Sequence, residues 1–257
     1  MIWPSLFIGG MAYLVWNFPK FILTLGWAND AISSTYSPAA APEYLAVLIA
    51  LVAAVVGVRT VRTSSIEDDS ETMLDDVSLF LARVAMMLIV LLVSVMFYEV
   101  VLRYVFEKPT LWANELSLWM AGFIFLLAGL YAMQQRSHIR IYLFYDVMPR
   151  WAQKLSDIVS VLLIWAFTIS MIWGGLNEAQ AKFLRWETFG TAFDPPLPAT
   201  MKPMVLLVIL LVSVQALANL IADWRKAPEH HAPFDESEVE ELKHEFEERA
   251  EDAKTGA

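Results

Sequence analysis

The chain of 257 residues has no cysteine. This excludes disulfides, thiolate metal sites and cysteine nucleophiles. Histidine is scarce: His138, His230, His231 and His244 all fall outside the long apolar runs. A membrane cytochrome needs axial ligands inside its bundle, usually paired histidines, so a haem anchor is excluded. No glycine-rich phosphate loop and no nucleophile–base–acid context is present, so no enzyme and no cofactor or metal site is expected. No basic patch of useful size exists, which disfavours nucleic acid as a partner. The middles of the apolar runs also lack ionisable residues and proline. Arg83, Glu99, Arg103, Glu115, Lys154 and Asp157 lie within a turn or two of a run's edge, where such side chains snorkel to water. Ion-coupled carriers place carboxylates or histidines at depth, or break a helix near the midplane. The chain is therefore not expected to move a solute by itself.

What is present is apolar sequence. The chain is 58% hydrophobic, with a mean hydropathy of +0.51. The stretches Val84–Tyr98, Leu116–Met133, Ile158–Leu176 and Val205–Ala222 carry no charge. With their polar-edged ends each reaches the roughly 20 helical residues that cross a hydrocarbon core of about 30 Å. Backbone groups in lipid must be paired internally, and no strand-like alternation points to a barrel, so these runs are helices. They define core spans at about 77–98, 112–134, 151–176 and 202–224. Two further apolar runs, residues 1–28 and Tyr44–Val58, precede them. The first is interrupted by Pro4, Pro19 and Lys20 and lacks the basic start and small-residue cleavage site of a signal peptide. It reads as a retained anchor, and whether it bends at Pro19 is open.

The fold class that follows is an all-α integral membrane protein of about six transmembrane helices. Residues 1–62 form an N-terminal hairpin, 63–76 an acidic linker, 77–226 a four-helix core and 227–257 an acidic helical tail. The net charge of −10 is mostly local: Glu229–Asp252 holds eleven acids against two bases, and Glu67–Asp76 holds six acids. Arg136, Arg140, Arg150 and Lys154 crowd the loop between the second and third core spans, Arg59 and Arg62 flank the linker, and Arg225 and Lys226 follow the last span. The positive-inside rule puts these segments and both termini in the cytoplasm, and loops 99–115 and 177–202 outside, in the periplasm of a two-membrane host.

Some polar groups carry two readings. Glu99 and Arg103 share a helix face, and Glu115 stands across a short loop within reach of Arg103. The cluster is either an internal ion pair closing a hairpin or a fixed loop for a partner. Trp112 fits a membrane-edge anchor. The turn with Arg136, His138 and Arg140 fits lipid head groups, or a lock against a neighbouring subunit. Gln215 and Asn219 share a face of the last span, where amides bond to another helix. Gly122 and Gly129 leave a thin face for close packing. In the 177–202 loop, Phe183, Trp186 and Phe189 read either as lipid-surface contact or as a periplasmic docking surface, with Phe183 and Trp186 on a short interfacial helix.

From about Leu74 to Trp224 the chain resembles the small permease subunit of TRAP transporters (tripartite ATP-independent periplasmic transporters, DctQ-type). The residues that carry the resemblance are Arg103-Tyr104 at the end of the first core span, Pro109, Trp112 and Glu115-Leu116 before the second, His138-Ile139 after it, and Pro195–Pro198 before the last. The chain departs from that pattern at Arg136-Ser137, where a glycine is common, and at Tyr142, where an aspartate is common. The resemblance implies a non-catalytic inner-membrane partner of a large sodium-coupled permease, served by a periplasmic substrate-binding protein that delivers an organic anion such as a dicarboxylate. Arg103, Trp112, Glu115, His138, Arg140 and Gln215 are the expected subunit-interface or structural residues. The alternative is a structural membrane anchor whose acidic tail recruits a cytoplasmic protein.

Overall fold

The computed structural model describes residues 1–64, 67, 70, 72–135 and 148–224. Every regular element among them is an α-helix: α1 Ile2–Thr24, α2 Asp30–Thr35, α3 Ala41–Thr60, α4 Met73–Tyr104, α5 Ala113–Gln134, α6 Arg150–Arg185 and α7 Leu197–Asp223. All but α2 are long and apolar enough to cross a bilayer. The chain is an all-α, multi-pass membrane protein.

The helix ends follow from local chemistry. α4 begins at Met73 because Thr72 and Asp75 form a reciprocal capping box: Asp75 N–H bonds the Thr72 hydroxyl, and Thr72 N–H bonds the Asp75 carboxylate at 2.9 Å. α7 starts behind Pro196, with Pro198 in its first turn, where a missing N–H costs nothing. α1 runs unbroken to Thr24 with Pro19 inside it. α6 continues past the apolar run to Arg185 because Asn177–Leu184 is rich in good helix formers. The separate short helix expected around Phe183 and Trp186 is instead the last turn of α6. Trp186 closes it in the left-handed conformation, at φ 48°.

Charged residues mark a slab. One end of the bundle carries Lys20, Glu43, Glu99, Arg103, Glu115, Glu178 and Lys202; the other carries Arg59, Arg83, Asp157 and Asp223. Arg83 to Arg103, Asp157 to Glu178 and Lys202 to Asp223 each span roughly 30 Å at 1.5 Å per residue, the thickness of a hydrocarbon core.

Three antiparallel hairpins fill the slab: α1 with α3, α4 with α5, and α6 with α7. The first packs on α4, and α5 packs on α7. The linker separates the N-terminal hairpin from the core in sequence, but in the fold they share one apolar cluster. Phe80, Val84, Ala85 and Leu127 meet Trp3, Phe7, Ile8, Ala54 and Val58 there. Gly57 makes the approach possible, since a Cβ on it would lie 2.2 Å from the Phe80 ring. Gly122 similarly faces Met201 within the chain, whereas Gly129 has nothing within 4 Å of its Cβ position. α6 is the most open helix, with Trp173 88% exposed.

Candidate functional site at the two ends of the bundle

Glu99 organises the end where α4 finishes. Its side chain is 2% exposed and accepts four hydrogen bonds. Arg103 donates from Nε at 3.1 Å and from Nη2 at 2.6 Å. Thr110 donates its N–H at 3.0 Å and its hydroxyl. A buried carboxylate with every acceptor position used is held, not poised for chemistry. The result is a fixed α4–α5 loop. Trp112 then packs on Tyr98, with ring centroids 6.2 Å apart.

Glu115 does not join this group. Its carboxylate accepts from the Thr191 hydroxyl at 2.6 Å, so the reach to Arg103 expected from the sequence is not what the fold uses. Arg103 is taken by its own helix, and the first turn of α5 faces the loop before α7. Trp119 points the same way, donating from its indole N–H to the Thr200 hydroxyl at 2.8 Å. Lys202 pairs with Glu178, and Lys182 with Glu187, tying α7 and the 187–196 loop to α6.

Aromatic rings complete this end. Phe183 and Trp186 both pack on Phe18 of α1, and Trp16 packs on Phe193. Phe189 stands 45% exposed. Lys20 and Glu43 close the α1–α3 hairpin at 2.6 Å.

Gln215 organises the opposite end. Its amide N–H₂ donates to Asp75 at 2.6 Å and to Asn219 at 3.0 Å, while its oxygen accepts from Ser78 at 3.3 Å. Asn219 donates onward to the Met133 carbonyl at 2.7 Å. One amide pair thus joins α4, α5 and α7. Beside it, the linker residue Glu67 accepts from Arg83 of α4, from Tyr131 of α5 at 3.0 Å and from the Ser64 N–H at 2.7 Å. Burial pushes the Glu67 carboxyl up, but the Ser64 N–H, Arg83 and Tyr131 outweigh it and hold the group below the ordinary carboxylate value. Lys154 lies over the Trp224 ring at 4.7 Å. His138 and Arg140 lie outside the described residues.

Two residues before Gln215, α6 and α7 share a polar contact, Thr168 with Ser213 at 2.5 Å. The sequence carried no signal of the pairings made by Thr168, Thr110, Thr191, Phe18 or Glu67. Only the Thr72-x-x-Asp75 spacing carried a local signal of its role.

Arg103 and Glu115 share one face of the slab, and Gln215 occupies the other. Among the described residues this arrangement holds helices and loops in place.

Residues 92–226 match the family described as tripartite ATP-independent periplasmic transporters, DctQ component. The chain is also similar to a protein named C4-dicarboxylate TRAP transporter small permease protein DctQ from Vibrio cholerae serotype O1, at 28% identity over 102 residues. That similarity covers 40% of this chain and 44% of the relative, so it spans less than half of either.

Proposed function

Because the chain belongs to the DctQ component family of the tripartite ATP-independent periplasmic transporters, we propose that it is the small membrane subunit of such a transporter. In this reading it braces the fixed scaffold of a large sodium-coupled permease. That permease imports an organic acid, a dicarboxylate or another carboxylate, handed over by a periplasmic binding protein. The C4-dicarboxylate in the relative's name supports the solute class.

The observation that carries the bracing role is the placement of charge. Among the described residues the buried carboxylates Glu43, Glu99 and Asp75 lie at the slab's edges, each bonded within the chain. The polar contact between α6 and α7 within their apolar runs is a pair of hydroxyls, Thr168 and Ser213. A solute or ion path needs polar groups at depth that are free to exchange partners, and a brace needs the reverse.

The Arg103 end faces the periplasm and the Gln215 end the cytoplasm of an inner membrane, with both termini inside, as the distribution of basic residues favours. Arg103, Trp112 and Glu115 shape the outer edge presented to the large subunit. Gln215 fixes the inner edge, where His138 and Arg140 meet lipid head groups or that subunit. The 186–196 loop, with Phe189 outermost and Phe183 and Trp186 beneath it, faces the binding protein.

Affinity purification from native membranes in mild detergent, with mass spectrometry of the recovered partners, tests the proposal. A much larger polytopic protein is expected to co-purify. Recovery of the chain as a lone monomer from its own membranes would overturn it.

A further inference from the structure

The α1–α3 hairpin lies outside residues 92–226, the segment that matches the family, yet it grips that segment at two points. Phe18 stacks on Trp186 with centroids 5.0 Å apart and planes 19° apart, and its centroid lies 4.9 Å from that of Phe183. Trp16 packs on Phe193 at 5.8 Å. Trp186 is where the chain leaves α6, and Phe193 stands just before the Pro195-Pro196 entry to α7. The two contacts therefore hold both flanks of the loop that joins these helices.

That loop needs holding. Trp186 at φ 48° and Asp194 at φ 54° are non-glycine residues in the left-handed region, with Gly190 at φ 80° between them. Such conformations persist where the surroundings over-determine them. At its flanks the loop is bonded through Glu187, whose N–H reaches the Lys182 carbonyl at 3.1 Å, whose carboxylate pairs with Lys182 and whose carbonyl takes the Ala199 N–H at 3.3 Å. Further in, Phe189 N–H reaches the Pro195 carbonyl at 3.0 Å, Gly190 N–H the Asp194 carboxylate at 2.6 Å, and the Thr191 hydroxyl Glu115.

The gripping helix is itself anchored. Glu43 of α3, 1% exposed, receives Lys20 of α1 at 2.6 Å and the Ala40 N–H at 2.9 Å. At the next residue of each helix, Phe21 of α1 meets the Tyr44 ring edge-on at 5.6 Å. A rigid path thus runs from α3 through α1 to the loop.

We propose that the α1–α3 hairpin is a built-in clamp that sets the conformation of the 186–196 loop, with Phe18 and Trp16 as its positioning residues. The matched segment ties the loop at Glu187, Gly190 and Thr191; the hairpin adds the aromatic contacts on Trp186 and Phe193. The clamp rests on the loop's geometry and stands whatever partner meets the loop.

Hydrogen exchange read by mass spectrometry on the full chain in lipid nanodiscs tests this. In Phe18→Ala and Trp16→Ala the Phe189 and Gly190 amides are expected to exchange about tenfold faster, the scale set by losing a stacked pair. Peptides from α4 and α7 should keep their wild-type rates. Phe18→Leu keeps apolar bulk without a ring and should stay loosened, while Phe18→Tyr keeps the ring and should restore protection. Unchanged loop exchange in both alanine variants overturns the clamp. So does full protection in Phe18→Leu, or loosening that spreads equally to α4 in every Phe18 variant. Recovery of the wild-type chain without a larger partner, with exchange still loosened in the two alanine variants, would count against the proposed function and leave the clamp intact.

Discussion

Gln215 and Asp75, 140 positions apart in the sequence, meet at 2.6 Å. The amide nitrogen thus joins the last helix to the first turn of α4, and the oxygen of the same amide accepts from Ser78. Gln215→Leu keeps the volume and removes its three side-chain bonds, to Asp75, Ser78 and Asn219, leaving each of these partners short of one contact. We expect a loss of about 1–2 kcal/mol. Thermal unfolding in detergent reads this as a lower midpoint, and an unchanged midpoint would refute it.

Glu67 makes the inner end sensitive to acid. Burial raises its carboxyl, but Ser64, Arg83 and Tyr131 lower it further, so its folded value lies below the unfolded one. A lowered carboxylate contributes stability that is present above the unfolded value and is lost as pH falls through the folded value. Below pH 4.5 the wild type should therefore lose protection of the linker against proteolysis, while Glu67→Gln shows a flat profile. Parallel profiles for the two would exclude the mechanism.

Arg103→Ala leaves Glu99 with Thr110 alone, and Glu115→Ala frees Thr191. Both changes loosen the outer edge without touching the middle of the slab. We expect lower recovery of the partner complex and unchanged solute preference in uptake assays. A clean switch of solute with normal complex yield would contradict the bracing role.

The glycines separate internal from external packing. Gly57→Ala sets a methyl against the Phe80 ring and should destabilise the chain by about 1–3 kcal/mol. Gly129→Ala meets nothing within 4 Å and should leave the isolated chain's unfolding midpoint unchanged. Equal effects at the two sites would show that the face around Gly129 is not open.

Ser117 is the reverse case. Its hydroxyl is buried without a hydrogen bond. Ser117→Ala removes an unpaired polar group and should be neutral or stabilising by up to about 1 kcal/mol. A clear loss of stability would show a bond to a group that the isolated chain lacks.

The helices were legible because lipid forces a backbone to satisfy itself within one segment. Apolar length alone therefore located six spans. The ends were legible where a charge marked them, as at Arg103 and Lys202. What the sequence hid was partner choice. Glu115 faces Arg103 across a short loop, yet it bonds Thr191, because Arg103 is already satisfied one turn back on its own helix. Phe183 and Trp186 read as exposed aromatic residues because the ring that covers them, Phe18, lies far away in sequence. Gln215 was legible as a helix-to-helix amide, but its acceptor was not. Asp75 sits in an acidic run whose other members look equally solvated, and only its capping geometry sets it apart.

α6 is 36 residues long, about 54 Å at 1.5 Å per residue, and so outlasts any ordinary bilayer. Between Asp157 and Glu178 it matches the hydrocarbon, and the turns after Glu178 rise roughly 10 Å beyond it. The 186–196 loop therefore rides on a post whose top is met by Phe18 and Glu115 at the bundle's end. Membrane thickness becomes a variable the protein registers: a bilayer a few ångströms thicker would draw the Glu178–Lys202 pair toward apolar surroundings, at fractions of a kcal/mol per ångström. A thinner one would leave the post standing taller.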